Sequence, residues 1–403
     1  MRVLVQKFGG TSVKDKESRK SAIKQVKKAL EENDKVVVVV SAMGRYPDPY
    51  ATDTLYSLIE GRLSLLSNKE KDILLSAGET ISATVFSHDL LANDIQSVAI
   101  TGGEAGIITT SNFSNAQIKS IDTKHMLDLL AYHQVVVVAG FQGRTENHEI
   151  TTIGRGGSDT SATALAVALQ AECVDIFTDV AGIMTADPRM VSKAQKIESI
   201  SYTEICNLAY QGAKVIHPRA VEIAMQANIP IRVRSTSEED EGTLITNIPE
   251  SPHGGNVYDR LATGIAYVNQ ITQIKIEKVQ KPEELHVNVF KAMAEAGISV
   301  DFINISPNGV VYTIFERDEP LALQVLEQMG VVPTVTRNCA KVSIVGAGMS
   351  GVPGVTSEIV QTLTAQRIQI LQSADSHRTI WVLIHNEYLE KALNGLHERF
   401  QLD

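Results

Sequence analysis

Val36-Val-Val-Val-Val40 decides the fold class: five β-branched residues in a row with no polar residue among them. A strand with one wet face alternates apolar and polar residues, whereas a run that is apolar throughout has to be covered on both faces. Val135 to Ala139 and Val174 to Phe177 repeat the pattern, and Val3 to Lys7 is a shorter strand of the same kind. Helical spacing lies between these runs. Ala22, Ile23, Val26, Ala29 and Leu30 recur among lysines as on an amphipathic helix, and Thr160 to Ala171 is rich in Ala and Leu. Leu208 to Ala227 reads as largely helical despite Gly212 and Pro218. Val-rich strands separated by helices predict an α/β domain around a mostly parallel sheet covered on both faces.

From Ser235 to Asp259 the pattern breaks. Ser237-Glu-Glu-Asp-Glu-Gly242, then Pro249, Pro252, Gly254 and Gly255, read as loop and linker. The expected division is a catalytic domain over 1–245, a linker over 246–262, and two smaller modules over 263–335 and 336–403. The two modules come from an internal repeat at an offset of about 70. Phe290, Met293, Ile298, Val300, Val310, Tyr312, Ile314 and Leu326 align with Val360, Leu363, Ile368, Ile370, Ile380, Val382, Ile384 and Leu396. Each copy reads strand, helix, strand, strand, helix. Two copies of this length are too few for a solenoid; paired α+β modules, a symmetric sensing unit, fit better.

Composition sets the broad class. The 403 residues are 43% hydrophobic, as in a soluble globular chain of roughly two to three domains. A net charge of −10 lacks the basic balance of nucleic-acid binders. Cys173, Cys206 and Cys339 show no metal-ligand spacing and read as buried or free thiols of a reducing compartment. No apolar run approaches the roughly 18 residues of a membrane helix, and no basic, apolar leader precedes Val3, so a cytoplasmic location is expected.

Four segments carry candidate chemistry. Lys7-Phe-Gly-Gly-Thr-Ser12 follows a strand, and a Gly pair there lets backbone N–H groups approach phosphate oxygens beside a fixed cation. It is not a Walker loop. Thr151-Thr-Ile-Gly-Arg-Gly-Gly-Ser-Asp-Thr-Ser161 precedes a helix and combines glycines, hydroxyls and Arg155 into an anion site. Arg155 suits two-pronged binding of a carboxylate. Asp159 has the wrong charge for that site and reads as an N-cap. Phe177-Thr-Asp-Val-Ala-Gly-Ile-Met-Thr-Ala-Asp-Pro-Arg189 lies beyond a strand's C-terminal end, where open α/β sheets bind ligands. Gly212-Ala-Lys-Val-Ile-His-Pro-Arg219 offers Lys214, with His217 as a structural histidine. Glu79, in a helix with apolar neighbours, reads by itself as a solvated glutamate. Gly346-Ala-Gly-Met-Ser-Gly351 matches a dinucleotide fingerprint, but too little chain follows for the partner strands, so it reads as a strand-to-helix loop.

In this order along the chain, Lys7-Phe-Gly-Gly-Thr-Ser-Val13, Val39-Val-Ser-Ala-Met43, Gly154-Arg-Gly-Gly-Ser-Asp-Thr160, Thr178-Asp-Val-Ala-Gly182 with Thr185-Ala-Asp-Pro-Arg189, and Gly212-Ala-Lys-Val-Ile-His-Pro-Arg219 resemble the aspartate kinases. The resemblance covers essentially the whole chain. It implies a three-layer amino-acid-kinase sandwich followed by two ferredoxin-like ACT modules, one inserted in the other, so that the strand from Thr263 to Val268 completes the second. It implies transfer of the γ-phosphoryl group of ATP, with Mg2+, to the side-chain carboxylate of aspartate, early in lysine, diaminopimelate, threonine and methionine biosynthesis. Carried over by position, Lys7 and Lys214 contact the transferred phosphates and Gly9 and Gly10 donate N–H groups. Asp159 organises the lysines. Arg155 clamps the α-carboxylate of aspartate, Glu79 takes its α-ammonium, and Ser41, Thr52 and Ser158 line that pocket. Thr178, Asp179, Asp187 and Arg189 hold nucleotide.

Three departures from the family's usual form stand out. The loop Arg45-Tyr-Pro-Asp-Pro-Tyr50 is longer. Lys278-Val-Gln-Lys-Pro-Glu-Glu284 stands where a Pro-Gly turn is common, while the second module keeps Pro353-Gly354. Ile370-Leu-Gln-Ser-Ala-Asp-Ser-His377 with Thr379-Ile-Trp381 is more similar to the isozyme inhibited by meso-diaminopimelate than to the lysine-sensitive type. The resemblance also implies a homodimer or larger homo-oligomer formed through the ACT modules, and a chain without the homoserine dehydrogenase half of bifunctional relatives. The alternatives are another kinase of the same fold and a non-catalytic amino-acid sensor.

Overall fold

The computed structural model describes residues 1–59, 65–213, 215–247, 261–277, 282–349 and 352–403. They form two compact units. The first takes Met1–Ile183, Lys196–Ala209 and the described part of 214–257; the second takes Met184–Gln195, Tyr210–Ala213 and the described part of 258–403. Most of the expected linker, and Lys278 to Lys281, lie outside the described residues.

The first unit is built on an eight-stranded sheet. Its order runs Ser199–Ser201, Thr243–Thr246, Ile231–Ser235, Val174–Thr178, Val3–Phe8, Lys35–Val40, Val135–Ala139, Ser97–Ile100. Pairing is parallel except between Ile231–Ser235 and Thr243–Thr246. All five valines of 36–40 are buried, as a central strand covered on both faces requires. Helices Lys16–Glu32 and Asn68–Leu91 cover one face through Ala22, Ile23, Val26 and Phe86. The register sets Phe8 beside Val40 and Phe177, and Val40 beside Ala139, so four chain segments leave the sheet at one C-terminal edge. A small four-stranded sheet, ordered Ile118–Ile121, Ile107–Thr109, Gln142–Arg144, Ile150–Thr152, leads into helix Gly157–Leu169.

The helix expected over Leu208 to Ala227 is instead two, Tyr202–Tyr210 and Pro218–Ala227. Gly212 adopts φ 111°, outside helical space, and Pro218 cannot donate the N–H a continuous helix would need. His217 caps the second helix, its Nδ1 accepting from Arg219 N–H at 3.3 Å. That is the structural role expected of it.

The second unit holds a six-stranded antiparallel sheet, ordered Asp301–Ser306, Gly309–Phe315, Gly264–Glu277, Thr334–Val345, Thr379–His385, Gln372–Ser376. Its two long central strands each serve both halves. Gly264 to Val268 pair with Lys341 to Val345, and Ile271 to Glu277 pair with Gly309 to Phe315. Period-2 alternation sends Ile274, Ile276, Val310, Tyr312 and Ile314 into one helix-covered core, and Val342, Ile344, Ile380, Val382 and Ile384 into the other. Cys206 and Cys339 are buried, and all three cysteines are free thiols. Among the described residues no helix is long and apolar enough to cross a membrane.

Candidate active site

At the sheet's C-terminal edge a cavity of about 250 Å³ is lined by Lys7, Gly9, Gly10, Thr11, Ser41, Gly44, Arg45, Asp159, Thr178 and Val215, among others. Lys7 and Asp159 pair within its lining, with Nζ 2.7 Å from Oδ1. Asp159 is not the N-cap it resembles in sequence. Gly156 occupies that position in a left-handed conformation, φ 69°, and Asp159 lies in the first helical turn with its carboxylate on the lysine. A Cβ at Gly156 would come within 2.2 Å of His217 Cγ, so only glycine allows this close crossing.

The loop expected to cradle phosphate differs in detail from expectation. The Gly9 N–H is engaged by the Phe177 carbonyl at 3.3 Å. The N–H groups of Gly10 and Thr11 open the short helix Gly10–Val13, where no preceding helical carbonyl takes them. A Cβ at Gly10 would meet the carbonyl oxygens of Ala42 and Gly44, each at 2.6 Å, and the Gly44 N–H donates back to Gly10 O at 2.9 Å. The long loop after Ser41 is thereby laced to the cradle. Arg45, on that loop, ion-pairs with Asp179 at 3.2 Å, and Thr178 Oγ1 donates to Asp179 at 3.1 Å. Sequence reading did not single out Arg45; its place in an added loop directly after Ser41-Ala-Met was the available signal.

Glu79 is the clearest reversal. It is 2% exposed. Ala42 N–H donates to its Oε1 at 3.2 Å, the Thr52 side chain lies near the same carboxyl, and Oε2 has no hydrogen-bond partner among the described residues. Burial pushes its pKa up to about 8, against the weaker lowering by these contacts. Glu79, Thr52 and the backbone beside Ser41 are therefore one cluster. Ser158 is buried, and its Cβ lies 3.0 Å from where a Cβ on Gly140 would stand, at the adjoining strand end. Arg155 is exposed on the turn before helix Gly157–Leu169, and its guanidinium has no hydrogen-bond or ion-pair partner among the described residues.

Not every expected residue joins this cluster. Lys214 lies outside the described residues, although its neighbour Val215 lines the cavity. Asp187 and Arg189 belong to the second unit. There Arg189 grips Asp187 through Nε at 3.0 Å and Nη2 at 2.7 Å, and Tyr267 OH donates to the same carboxylate at 3.2 Å. The Arg189 hydrogen bond, ahead of the other contacts, holds the Asp187 carboxyl below its usual range. Among the described residues no group of three or more His, Cys, Asp or Glu side chains could hold a metal ion.

Comparison with known proteins agrees with this geometry. The amino acid kinase family model matches residues 2–235, and an ACT domain model matches 334–398. The chain is 57% identical to Aspartokinase 1 of Bacillus subtilis over the full length of both, and 40% identical to the aspartokinase of Geobacillus stearothermophilus over 100% of this chain and 98% of that protein. E. coli aspartokinase III, solved with aspartate and ADP and again with lysine and aspartate, superposes with a TM-score of 0.77 at 26% identity, covering 99% of both chains. With a buried glutamate bonded to the backbone just after Ser41, a lysine–glycine cavity at the same sheet edge, and full-length identity well above the level at which fold alone is shared, the chain belongs to the aspartokinases.

Proposed function

We propose that this chain transfers the γ-phosphoryl group of ATP to the side-chain carboxylate of L-aspartate. A carboxylate oxygen attacks the γ-phosphorus, the bond to the β,γ-bridging oxygen breaks, and ADP leaves with that electron pair. The product is an acyl phosphate. The observation that carries this reading is the junction of two chemistries at one sheet edge: the Lys7 and Gly10 cradle meets the Ser41, Thr52 and Glu79 cluster.

The aspartate side chain has a pKa near ~4 and is ionised at neutral pH, so no general base is needed. The obstacle is bringing one anion to another. Lys7 meets it from the cradle, oriented by Asp159, and Lys214 is proposed as the second lysine. Gly10 and Thr11 supply N–H groups, and such preorganised donors are the main source of catalysis in phosphoryl transfer. Magnesium would be carried by the ATP phosphates and would neutralise part of their charge, with Asp159 the cavity carboxylate available to it. Arg155 clamps the α-carboxylate, Glu79 takes the ammonium, and Ser158 lines the pocket. Thr178 and Asp179, with Asp187 and Arg189 downstream, are proposed for the nucleotide.

The proposed division is a kinase domain over 1–245, a linker over 246–262, and two ACT modules, with Thr263 to Val268 completing the second. A cavity of about 580 Å³ lined by Met349, Val352, Thr356, Asp375, Ser376 and His377 supports an effector site there. Asp375 suits an effector ammonium group. meso-Diaminopimelate is the proposed feedback inhibitor, and a cytoplasmic homodimer or larger homo-oligomer joined through the ACT modules the proposed assembly.

Initial rates of aspartate-dependent ADP release with MgATP test this, alone and with diaminopimelate, lysine or threonine. Inhibition by diaminopimelate alone supports the whole reading. Inhibition by lysine or threonine keeps the kinase and replaces the effector. No aspartate-dependent turnover refutes the function, and a monomeric mass in solution refutes the assembly.

A further inference from the structure

Asp72 is fully buried, yet no lysine, arginine or histidine pairs with it among the described residues. A carboxylate in that position has to be satisfied by hydrogen bonds. Among the described residues five contacts do so, supplied by two residues. Ser114 donates its N–H to both oxygens, at 3.0 and 2.9 Å, and its hydroxyl at 3.2 Å. Thr152 donates its N–H at 2.8 Å and its hydroxyl at 2.8 Å. Asp72 thus gathers a loop and the end of strand Ile150–Thr152 onto helix Asn68–Leu91.

The location of those partners gives the contacts a use. Thr152 stands three residues before Arg155, and the intervening backbone is held again immediately afterwards. Arg219 donates to Ile153 O at 3.1 Å and to Ala116 O at 3.2 Å, while Ala116 N–H donates to Thr152 O at 2.9 Å. Arg155 therefore projects from a turn that is anchored, although its own side chain is unengaged. On the same helix, Glu79 follows Asp72 by seven residues, two turns, so both carboxyls share one face.

We infer that Asp72 is a positioning residue for the substrate. It ties the turn carrying Arg155 to the helix carrying Glu79, and so sets the distance between the groups that take the α-carboxylate and the α-ammonium of aspartate. The inference rests on the assignment of Arg155 and Glu79 to those groups. Asp72 itself touches no substrate atom. A carboxylate is required because it accepts at both oxygens; an amide presents an NH2 group to donors that already point at it.

The test compares kinetics of the full-length protein as Asp72→Asn, Thr152→Val, Arg155→Ala and the double variant Asp72→Asn/Arg155→Ala. Asp72→Asn should raise KM for aspartate by about 10-fold to 100-fold, the scale of a misplaced positioning group, and leave KM for MgATP within about twofold. Thr152→Val, which keeps the shape and one donor, should shift the same constant in the same direction by less. In the Arg155→Ala background, Asp72→Asn should add little, because it acts through Arg155. An unchanged KM for aspartate in Asp72→Asn, an equal rise in both KM values, or a full additive effect on top of Arg155→Ala would each make Asp72 a scaffold residue and overturn the inference. If Asp72→Asn does not fold, Thr152→Val decides alone, a wild-type KM for aspartate overturning it. Arg155→Ala with a wild-type KM for aspartate would reject the clamp assignment itself, and the inference with it.

Discussion

As the proposed partner of the α-ammonium of aspartate, Glu79 would make substrate binding titrate in a range where catalysis can be measured. Its carboxyl is pushed from 4.5 to about 8 by burial. Ionising it in the empty pocket thus costs roughly 5 kcal/mol more than in water. The α-ammonium of aspartate repays that cost only if the proton leaves first. Below pH 8 the free enzyme holds the proton, so binding releases it. KM for aspartate should fall roughly tenfold per pH unit from pH 6 to 8 and level off above, by linkage. KM for MgATP should not follow. Glu79→Gln fixes the pocket in its neutral form. Losing one partner of a buried charge pair costs about 2–5 kcal/mol, so at pH 8 the variant's KM for aspartate should exceed wild type by at least roughly 30-fold. Its profile should be flat. The assay is coupled ADP release at saturating MgATP across that pH range, with circular dichroism to show that the variant is folded. Parallel pH profiles in wild type and Glu79→Gln, or a wild-type KM in the variant at pH 8, would refute the reasoning.

Other perturbations have equally definite outcomes. Lys7→Ala should lower kcat by about 10²–10³ in the ADP-release assay, the effect of removing one preorganised charge donor, and it leaves Asp159 without its ion-pair partner. Gly10→Ala drives a methyl group onto two backbone carbonyls at 2.6 Å, so the cradle has to open; kcat/KM for ATP should drop about 100-fold while KM for aspartate changes far less. In the second unit the Tyr312 hydroxyl is fully buried with no hydrogen-bond partner among the described residues, and burial holds its pKa well above the usual value. Tyr312→Phe should leave stability to thermal or urea unfolding unchanged or raise it by up to about 1–3 kcal/mol, the desolvation penalty relieved; a loss of that size would show a hidden partner.

Much of the fold was legible because its signals are local and repeated. The valine run at 36–40 has no face that tolerates water, and the repeat at an offset of about 70 maps onto two halves of one sheet. Lys7, Gly10 and Ser41 were legible because each lies within two residues of the C-terminal end of a strand, the edge at which open α/β sheets bind ligands, and all three line the cavity there. Glu79 was not, because a helix of low amphipathicity gives no indication of which of its polar residues is buried. Asp159 looked like a cap because a short acid before a helix usually is one; the left-handed Gly156 had already taken that place.

The sequence by itself determined the parallel α/β core, the paired C-terminal modules and the family, since periodicity and ordered motifs survive without coordinates. Only the tertiary structure decided that Asp72 and Glu79 are buried on one helix face, that Gly9's N–H is engaged by Phe177, and that residues 184–195 group with the second unit. These facts depend on contacts between residues tens to hundreds of positions apart. Burial, and with it the pKa of a carboxyl or the freedom of an N–H, belongs to the folded surroundings rather than to the residue.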